Sequence, residues 1–475
     1  MRYLLITILS LSSLLAISQE KRVLTLQECI EIAVENNLSV KRSELNLQSS
    51  QINLLQSQAQ RYPSINLNGN YGYNWGRGID PTTNQFINQR INFNGISGNA
   101  NMPIINGLQV NNSIKQNKLG AEATEYDLDK AINDVSLNTA LNYLNVILNK
   151  ELFENAQFQL ESSQHQLDRT KILVESGALP RANELQLESQ VATNEVNLIN
   201  AQNNLDLALL TLKQSMLLPH GEDIDIVVPD IEVDQEEIEN NTIMEVYETA
   251  LSNQPEIRSA DLRVQSAEVG LDVSKGGMYP TLSLSGGFST NFSDAQVAFN
   301  QTGATPVQQQ TDLETASGEA IVLNTFDAQG DFETVDFGTQ YDNNFSQRLS
   351  LNLSIPILNG LQARSQVQRS KISLQQAEIN STEQRNVLYQ TIETSYRNAL
   401  AASKTYSASQ KQVESLVETY RAIENQYNNG AANFTDYQVA ANNLYQAQSD
   451  LSRAKYDFIF RKKVLDFYLG NPLTF

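Results

Sequence analysis

The chain carries little with which to do metal or covalent chemistry. Its 475 residues include one cysteine, Cys29, and two histidines, His165 and His220. A single cysteine excludes an internal disulfide, so the fold must rest on packing. Gln27 and Glu28 before Cys29 are wrong for a lipid-attachment signal, and Cys29 is read as an ordinary helix residue. His165 falls on a long helical stretch and His220 in a connector, each without a second metal-ligating or nucleophilic residue near it. No metal, no cofactor and no enzyme is therefore expected, and no phosphate-loop motif occurs. Basic residues are also few: Lys and Arg number 33 against 54 Asp and Glu, for a formal net charge of −21. That balance argues against nucleic acid or an anionic membrane surface as partner.

Long apolar runs are missing but for one. Arg2, the apolar stretch Leu4 to Ile17 and the small residues Ala16-Ile17-Ser18 read as a secretory signal peptide over 1–18. No later run approaches the roughly 20 apolar residues that a membrane helix needs. The mature chain therefore either is soluble outside the cytoplasm or crosses a membrane as β-strands.

What is present is a phrase stated twice. Pro103-Ile104-Ile105-Asn106-Gly107-Leu108-Gln109 returns as Pro356-Ile357-Leu358-Asn359-Gly360-Leu361-Gln362. In both copies alternating residues lead in and a long helical pattern leads out. Proline cannot donate to a ladder and Asn-Gly is turn chemistry, so Pro103, Gly107, Pro356 and Gly360 mark strand-to-helix junctions. The fold is thus a duplicated one.

Taken in order, 19–63 predicts short helices, the first begun by the capping-box spacing of Thr25 and Glu28, the second ended at Tyr62-Pro63. Residues 64–103 predict two strands and an outer loop. Ile65, Leu67, Tyr71, Tyr73 and Trp75 alternate with polar residues, as on a lipid-facing barrel strand with an aromatic girdle. The return strand changes phase, which predicts a bulge at Gly95. Residues 104–219 predict a helical hairpin with its tip at Gly177 and an outgoing arm of roughly 100 Å. Leu187, Val191, Asn194, Leu198, Ala201, Leu205, Ala208 and Leu212 form a coiled-coil seam on the return arm. An acidic connector, 220–243, contains one short strand near Ile224. Helices at 244–280, strands and a longer outer loop at 281–356, a hairpin at 357–470 with its tip at Gly430, and a tail at 471–475 complete the second half. The long outer loop, acidic and without Lys or Arg between Ser293 and Asn343, reads as a solvated surface loop, with divalent cation binding as the sharper alternative.

Four strands cannot close a barrel, since those known begin at about eight and lipid does not tolerate an open edge. Sequence alone therefore demands at least two copies. A secreted coiled-coil scaffold is the competing reading, and the four matched strands argue against it.

The order of short helix pair, Tyr-Pro, two strands, Pro-x-x-x-Gly, long helix, Gly and return helix, stated twice, resembles the TolC family of outer-membrane efflux factors. The best-matched stretch runs from Tyr427-Asn428-Asn429-Gly430 through Asp436 to Leu469-Gly470. The resemblance implies an α+β membrane protein: a homotrimer whose twelve-stranded barrel in outer-membrane lipid continues into a periplasmic helical barrel. It implies a passive duct that exports drugs, metals or other solutes, or alternatively a type I protein secretion duct. Energy would come from an inner-membrane transporter of the RND or ABC type through a periplasmic adaptor. It further implies that Asp436 faces a constriction at the tip, that Asn183 is its first-half counterpart lacking the charge, and that Tyr427 helps hold the hairpins shut. Without the resemblance, Asp436 reads as a helix cap.

Overall fold

The computed structural model describes residues 22–79, 84, 86–88, 90–219, 221–229 and 242–472. The signal peptide, His220, residues 230–241 and Phe475 lie outside them.

The chain divides into two compact units. One comprises 55–115 and 269–371; the other takes the flanking and intervening segments 1–54, 116–268 and 372–475.

The second of these is helical, and its duplication extends to element lengths. A short strand β1 (Arg22–Leu24) precedes α1 (Leu26–Asn36) and α2 (Leu38–Ala59), and their counterparts are α5 (Ile243–Asn253) and α6 (Pro255–Gly276). Both pairs have 11 and 22 residues. The long arms α3 (Gln109–Glu175) and α8 (Gln362–Asn428) have 67 residues each. The return arms α4 (Arg181–Ser215) and α9 (Phe434–Tyr468) have 35 each.

Local sequence explains the starts and stops. Thr25 and Thr242 each accept from the backbone N–H three residues on, while Glu28 and Glu245 reach back to the threonine N–H. Two amide donors that the helix cannot use are satisfied reciprocally at each end. Those hydrogen bonds from threonine hold both glutamates below the usual carboxylate range. At the tips, Gly177 (φ 74) and Gly430 (φ 73) take the left-handed conformation. Ala178 donates to the Leu173 carbonyl and Ala431 to the Gln426 carbonyl, each at 2.8 Å. This is a Schellman stop, which favours glycine for want of a Cβ.

A core of Leu24, Leu26, Cys29, Ala33, Tyr143, Ile147, Leu212, Met216 and Ile224 packs β1 and α1 against α3 and α4. Cys29 is fully buried there, and desolvation pushes its thiol up to about 12, as for a core thiol. The short strand expected near Ile224 is β6 (Ile224–Ile226), and it pairs in parallel with β1. Tyr143 donates to the Val227 carbonyl at 2.5 Å beside this pair.

The other unit is built on one antiparallel sheet. Its strands are β2 (Ser64–Asn74), β5 (Ile91–Asn106), β7 (Thr281–Ser293) and β10 (Ser346–Ser354), in the order β10-β7-β5-β2. Two expectations are corrected. No bulge occurs at Gly95, which stays in register with Asn70 and Asn291. The irregularity lies instead between Pro103 and Ile105, and β5 runs on to Asn106. Pro103 is thus inside a strand, tolerated at a bulge where the ladder is already interrupted. In the second copy β10 does stop, at Ser354, ahead of Pro356.

The outer connections also differ from the loops expected. The first holds a small hairpin, β3 (Arg77–Ile79) with β4 (Phe86–Asn88). The second is a long antiparallel ribbon, β8 (Val297–Glu314) with β9 (Ala320–Thr334), followed by α7 (Phe337–Asn343). A polar composition suggests a loop, but stretches of 18 and 15 residues pair there as an antiparallel ladder.

Candidate functional site

The first candidate surface is one face of the four-stranded sheet. Register aligns Ile65 with Ala100, Gly286 and Leu349; Leu67 with Gly98 and Phe288; and Met102 with Leu284 and Leu351. The opposite face aligns Asn66, Asn99, Gly287 and Arg348, and beside them Ser64, Asn101, Ser285 and Ser350. Period-two alternation thus becomes an apolar face and a polar face. The apolar side chains lie open: Ile65 is 75% exposed and Leu349 77%. Small residues let large ones lie flat on it; a Cβ at Gly98 would sit 2.4 Å from the Phe288 ring. Tyr71, Tyr73 and Trp75 gather at one end, the Tyr71 and Tyr73 hydroxyls 2.7 Å apart. β10 and β2 are the outer strands, and neither has a partner on its far side among the described residues. An apolar face with two open edges is what water excludes and what lipid tolerates only once the edges are closed. No helix among the described residues is long and apolar enough to cross a membrane.

The junctions that lead out of this sheet share a backbone signature. Gly107 (φ 59) and Leu108 (φ 63) are both left-handed, and so are Gly360 (φ 59) and Leu361 (φ 65). A leucine held there costs on the order of 1 kcal/mol in each copy. Gly107 is also a close approach, since a Cβ on it would meet the Gly276 carbonyl oxygen at 2.3 Å.

The second candidate is the pair of hairpin tips in the helical unit. Leu167, Leu187, Val191, Phe434 and Tyr437 form a small core, with Tyr420, Ile423 and Tyr427 packed against it. Tyr427 stacks on Tyr437, ring centroids 5.0 Å apart at 19°, and leans on Phe434 at 6.1 Å. The hydroxyls of Tyr420 and Tyr437 lie 3.0 Å apart. The Tyr427 hydroxyl is buried without a well-formed hydrogen bond, as is that of Thr170. Burial raises the Tyr427 phenol pKa, and the Arg169 charge with the nearby Thr170 and Gln166 side chains offsets only part of that. A polar relay crosses beside the cluster: Gln438 donates to Gln190 at 2.7 Å, Gln190 to Asn194 at 3.0 Å, and Asn194 to Ser163 at 3.0 Å. Asn194 is thus the seam position that buries a satisfied amide instead of an apolar group.

Asp436 and Asn183 occupy equivalent places in the first turns of α9 and α4. The cap of α9 is Asn433, whose side chain accepts from the Asp436 N–H at 2.9 Å, so the Asp436 carboxylate is not the cap. It is exposed on the helix surface. Pro180 stands at the corresponding place before α4 and makes no side-chain cap, while Asn183 is half-buried. Tyr427 and Tyr420 are legible in the sequence as one helix-face stripe at seven-residue spacing, whereas Phe434 and Tyr437 are not singled out by it.

His165 is exposed on α3 beside Glu161. The acids of the long ribbon do not converge; no group of three or more His, Cys, Asp or Glu that could hold a metal occurs among the described residues.

The comparisons with known proteins come to the same place. Residues 29–216 and 246–471 match the family described as outer membrane efflux protein. The chain is similar to outer membrane protein TolC of Escherichia coli strain K12, with 24% identity over 474 residues, 98% of this chain and 85% of the relative. In fold it is similar to the Vibrio cholerae outer membrane protein VceC, with a TM-score of 0.71 at 14% identity, covering 94% of this chain and 97% of that one. The same holds for the Campylobacter jejuni outer membrane channel CmeC, with a TM-score of 0.71 at 16% identity over 94% and 85% of the two chains. Helix-rich with a small sheet, non-enzymatic and built for transport at the outer membrane, this chain belongs to the outer membrane efflux protein family.

Proposed function

We propose that three copies of this chain close a twelve-stranded barrel in the outer membrane and form a passive exit duct for small molecules. The observation that carries this is the sheet β10-β7-β5-β2: an exposed apolar face and two open edges. β10 of one copy completes its ladder on β2 of the next, which leaves no unpaired backbone in hydrocarbon. The helical hairpins of the three copies line the periplasmic part of the passage and present their tips, Gly177 and Gly430, to an adaptor and an inner-membrane pump. With no phosphate-loop motif in the chain, export draws its energy from that pump, which also chooses the drug, metal or other solute carried.

At the narrow end, Asp436 from each copy contributes to a ring of three carboxylates. Such a ring repels anions and is relieved by cations. Tyr427 and its aromatic cluster hold the second hairpin in the closed position.

Membrane fractionation tests the reading. The full chain should sit in the outer membrane as a detergent-soluble, heat-sensitive trimer. Soluble rods that need no detergent would support a secreted scaffold in its place.

A further inference from the structure

The ribbon of β8 and β9 has two unlike faces. Pairing sets Phe332 against Phe299 and Phe326 against Pro306, with a register shift between Gln301 and Gly303. Along β9, Val322, Phe326 and Phe332 share one face, while Asp327, Asp331 and Glu333 share the other, which nearer the turn also carries Ile321 and Leu323. The apolar face is uncovered: Phe326 is 74% exposed and Phe332 70%. Phe299 and Phe332 touch across the strands at 5.3 Å between centroids, yet both stay open to water on their outer side. From Ser293 to Asn343 there is no Lys or Arg. A bare two-stranded ribbon is marginal in water, so an apolar side of this length calls for a partner.

We propose that this partner is the same face of the neighbouring copies, so that the ribbons of one assembly pack into a shared collar over the exit of the duct. The inference rests on the oligomeric reading above, and three observations select this occupant. First, the base of the ribbon is fixed to the barrel strands. The buried Gln340 side chain accepts from the Ser293 N–H at 2.9 Å and donates to the Ser293 and Val335 carbonyls at 2.9 and 2.8 Å. The ribbon is therefore carried as an extension of the β7 and β10 hairpin and not as a free tether. Second, β10 is an open edge that only another copy closes in lipid. Every ribbon is thereby held within a barrel's width of its equivalents, at high effective concentration. Third, the charge is sorted in the half of the ribbon nearest its base, while Glu314 at the turn lies on the apolar side. Packing the apolar faces together leaves Asp327, Asp331 and Glu333 pointing outward, where they stay hydrated and discourage further strands from adding to the collar. An anionic lipid surface is disfavoured by those same carboxylates, and a foreign apolar partner would have to displace copies already in place.

Cysteine cross-linking in intact cells tests this. Single variants Phe326→Cys and Phe332→Cys probe the apolar face; Asp327→Cys and Asp331→Cys probe the acidic one. All are made in the full chain, whose own Cys29 is buried. A short bis-maleimide is applied, covalent products are read on denaturing gels, and native size is read on uncross-linked samples in parallel. The expected result is covalent dimers from the two phenylalanine positions and their loss at the two aspartate positions. Native trimers with equal or absent cross-linking on the two faces would overturn the collar while leaving the duct intact. Quenching of a fluorescent maleimide on Phe326→Cys by brominated phospholipid would overturn it in favour of lipid. A wild-type chain that is monomeric in the membrane would overturn both readings.

Discussion

Tyr427 and Tyr437 stack with their ring centroids 5.0 Å apart and 19° between planes. They lie three residues before and seven after Gly430, so the stack ties the two arms of the second hairpin together beside its turn. Removing only the Tyr427 hydroxyl breaks no bond within the chain, because that oxygen makes no well-formed one. Tyr427→Phe should therefore leave unfolding within about 1 kcal/mol of wild type but raise leak through the resting pore in planar bilayers. Tyr427→Ala should lose about 3 kcal/mol as well. An unchanged leak in both variants would show that the tip is held elsewhere.

Asp436 and Asn433 separate two roles that one side chain could have shared. Asn433→Ala should cost about 1 kcal/mol through the lost cap and leave ion selectivity alone. Asp436→Asn should cost less than that in stability, but lower cation preference and abolish block by trivalent metal ions in single-channel recordings. Selectivity that is unchanged in Asp436→Asn would place the constriction at another residue.

Gly107 and Gly360 share a left-handed φ but not an environment. Gly360→Ala meets open space and should cost on the order of 1 kcal/mol for its φ alone. Gly107→Ala must also push the Gly276 carbonyl away and should cost severalfold more. Thermal dissociation of the oligomer compares them, and equal costs would contradict the close approach.

Acid should weaken the fold through Glu28 and Glu245. Both are held below the usual carboxylate range by threonine hydrogen bonds that exist only when folded. Their contribution is complete above the unfolded glutamate pKa and is lost as pH falls through the lower, folded value. Urea unfolding from pH 7 downward should show the decline, and Glu28→Gln with Glu245→Gln, which leave no carboxyl to titrate there, should flatten it. A double variant with the wild-type acid limb would exclude the capping boxes as its source.

Much of this architecture could be read from residues. Gly177 and Gly430 announced the hairpin tips because few side chains accept a φ near 74. Thr25 with Glu28 announced a helix start because the reciprocal bonds need that spacing. The alternation from Ile65 to Tyr73 announced a two-faced strand. Pro103 misled because a proline ends a strand only where its missing N–H is needed, and a bulge removes the need. The ribbon reads as a loop in the sequence because polar residues dominate it and the register shift near Thr302 breaks the alternation. β1 escaped notice because three residues carry no period, and its partner Ile224–Ile226 lies some 200 residues away. Tip contacts such as Tyr427 on Tyr437 depend on how two arms meet, which spacing along one arm does not encode.

The central claim is that the sheet edges are closed by neighbouring copies in the outer membrane, and Leu351 tests it most directly. Leu351 lies in the middle of β10, opposite Leu284. A proline there removes an N–H whichever neighbour that N–H faces, β7 of the same chain or β2 of the next. If both flanks of β10 are paired in hydrocarbon, a carbonyl is left unsatisfied at a cost of several kcal/mol. The measurement is the size of Leu351→Pro in detergent-solubilised outer membranes by native electrophoresis. Closure of the edges between copies predicts monomer or no inserted protein. A fully assembled, conducting trimer of Leu351→Pro would contradict it.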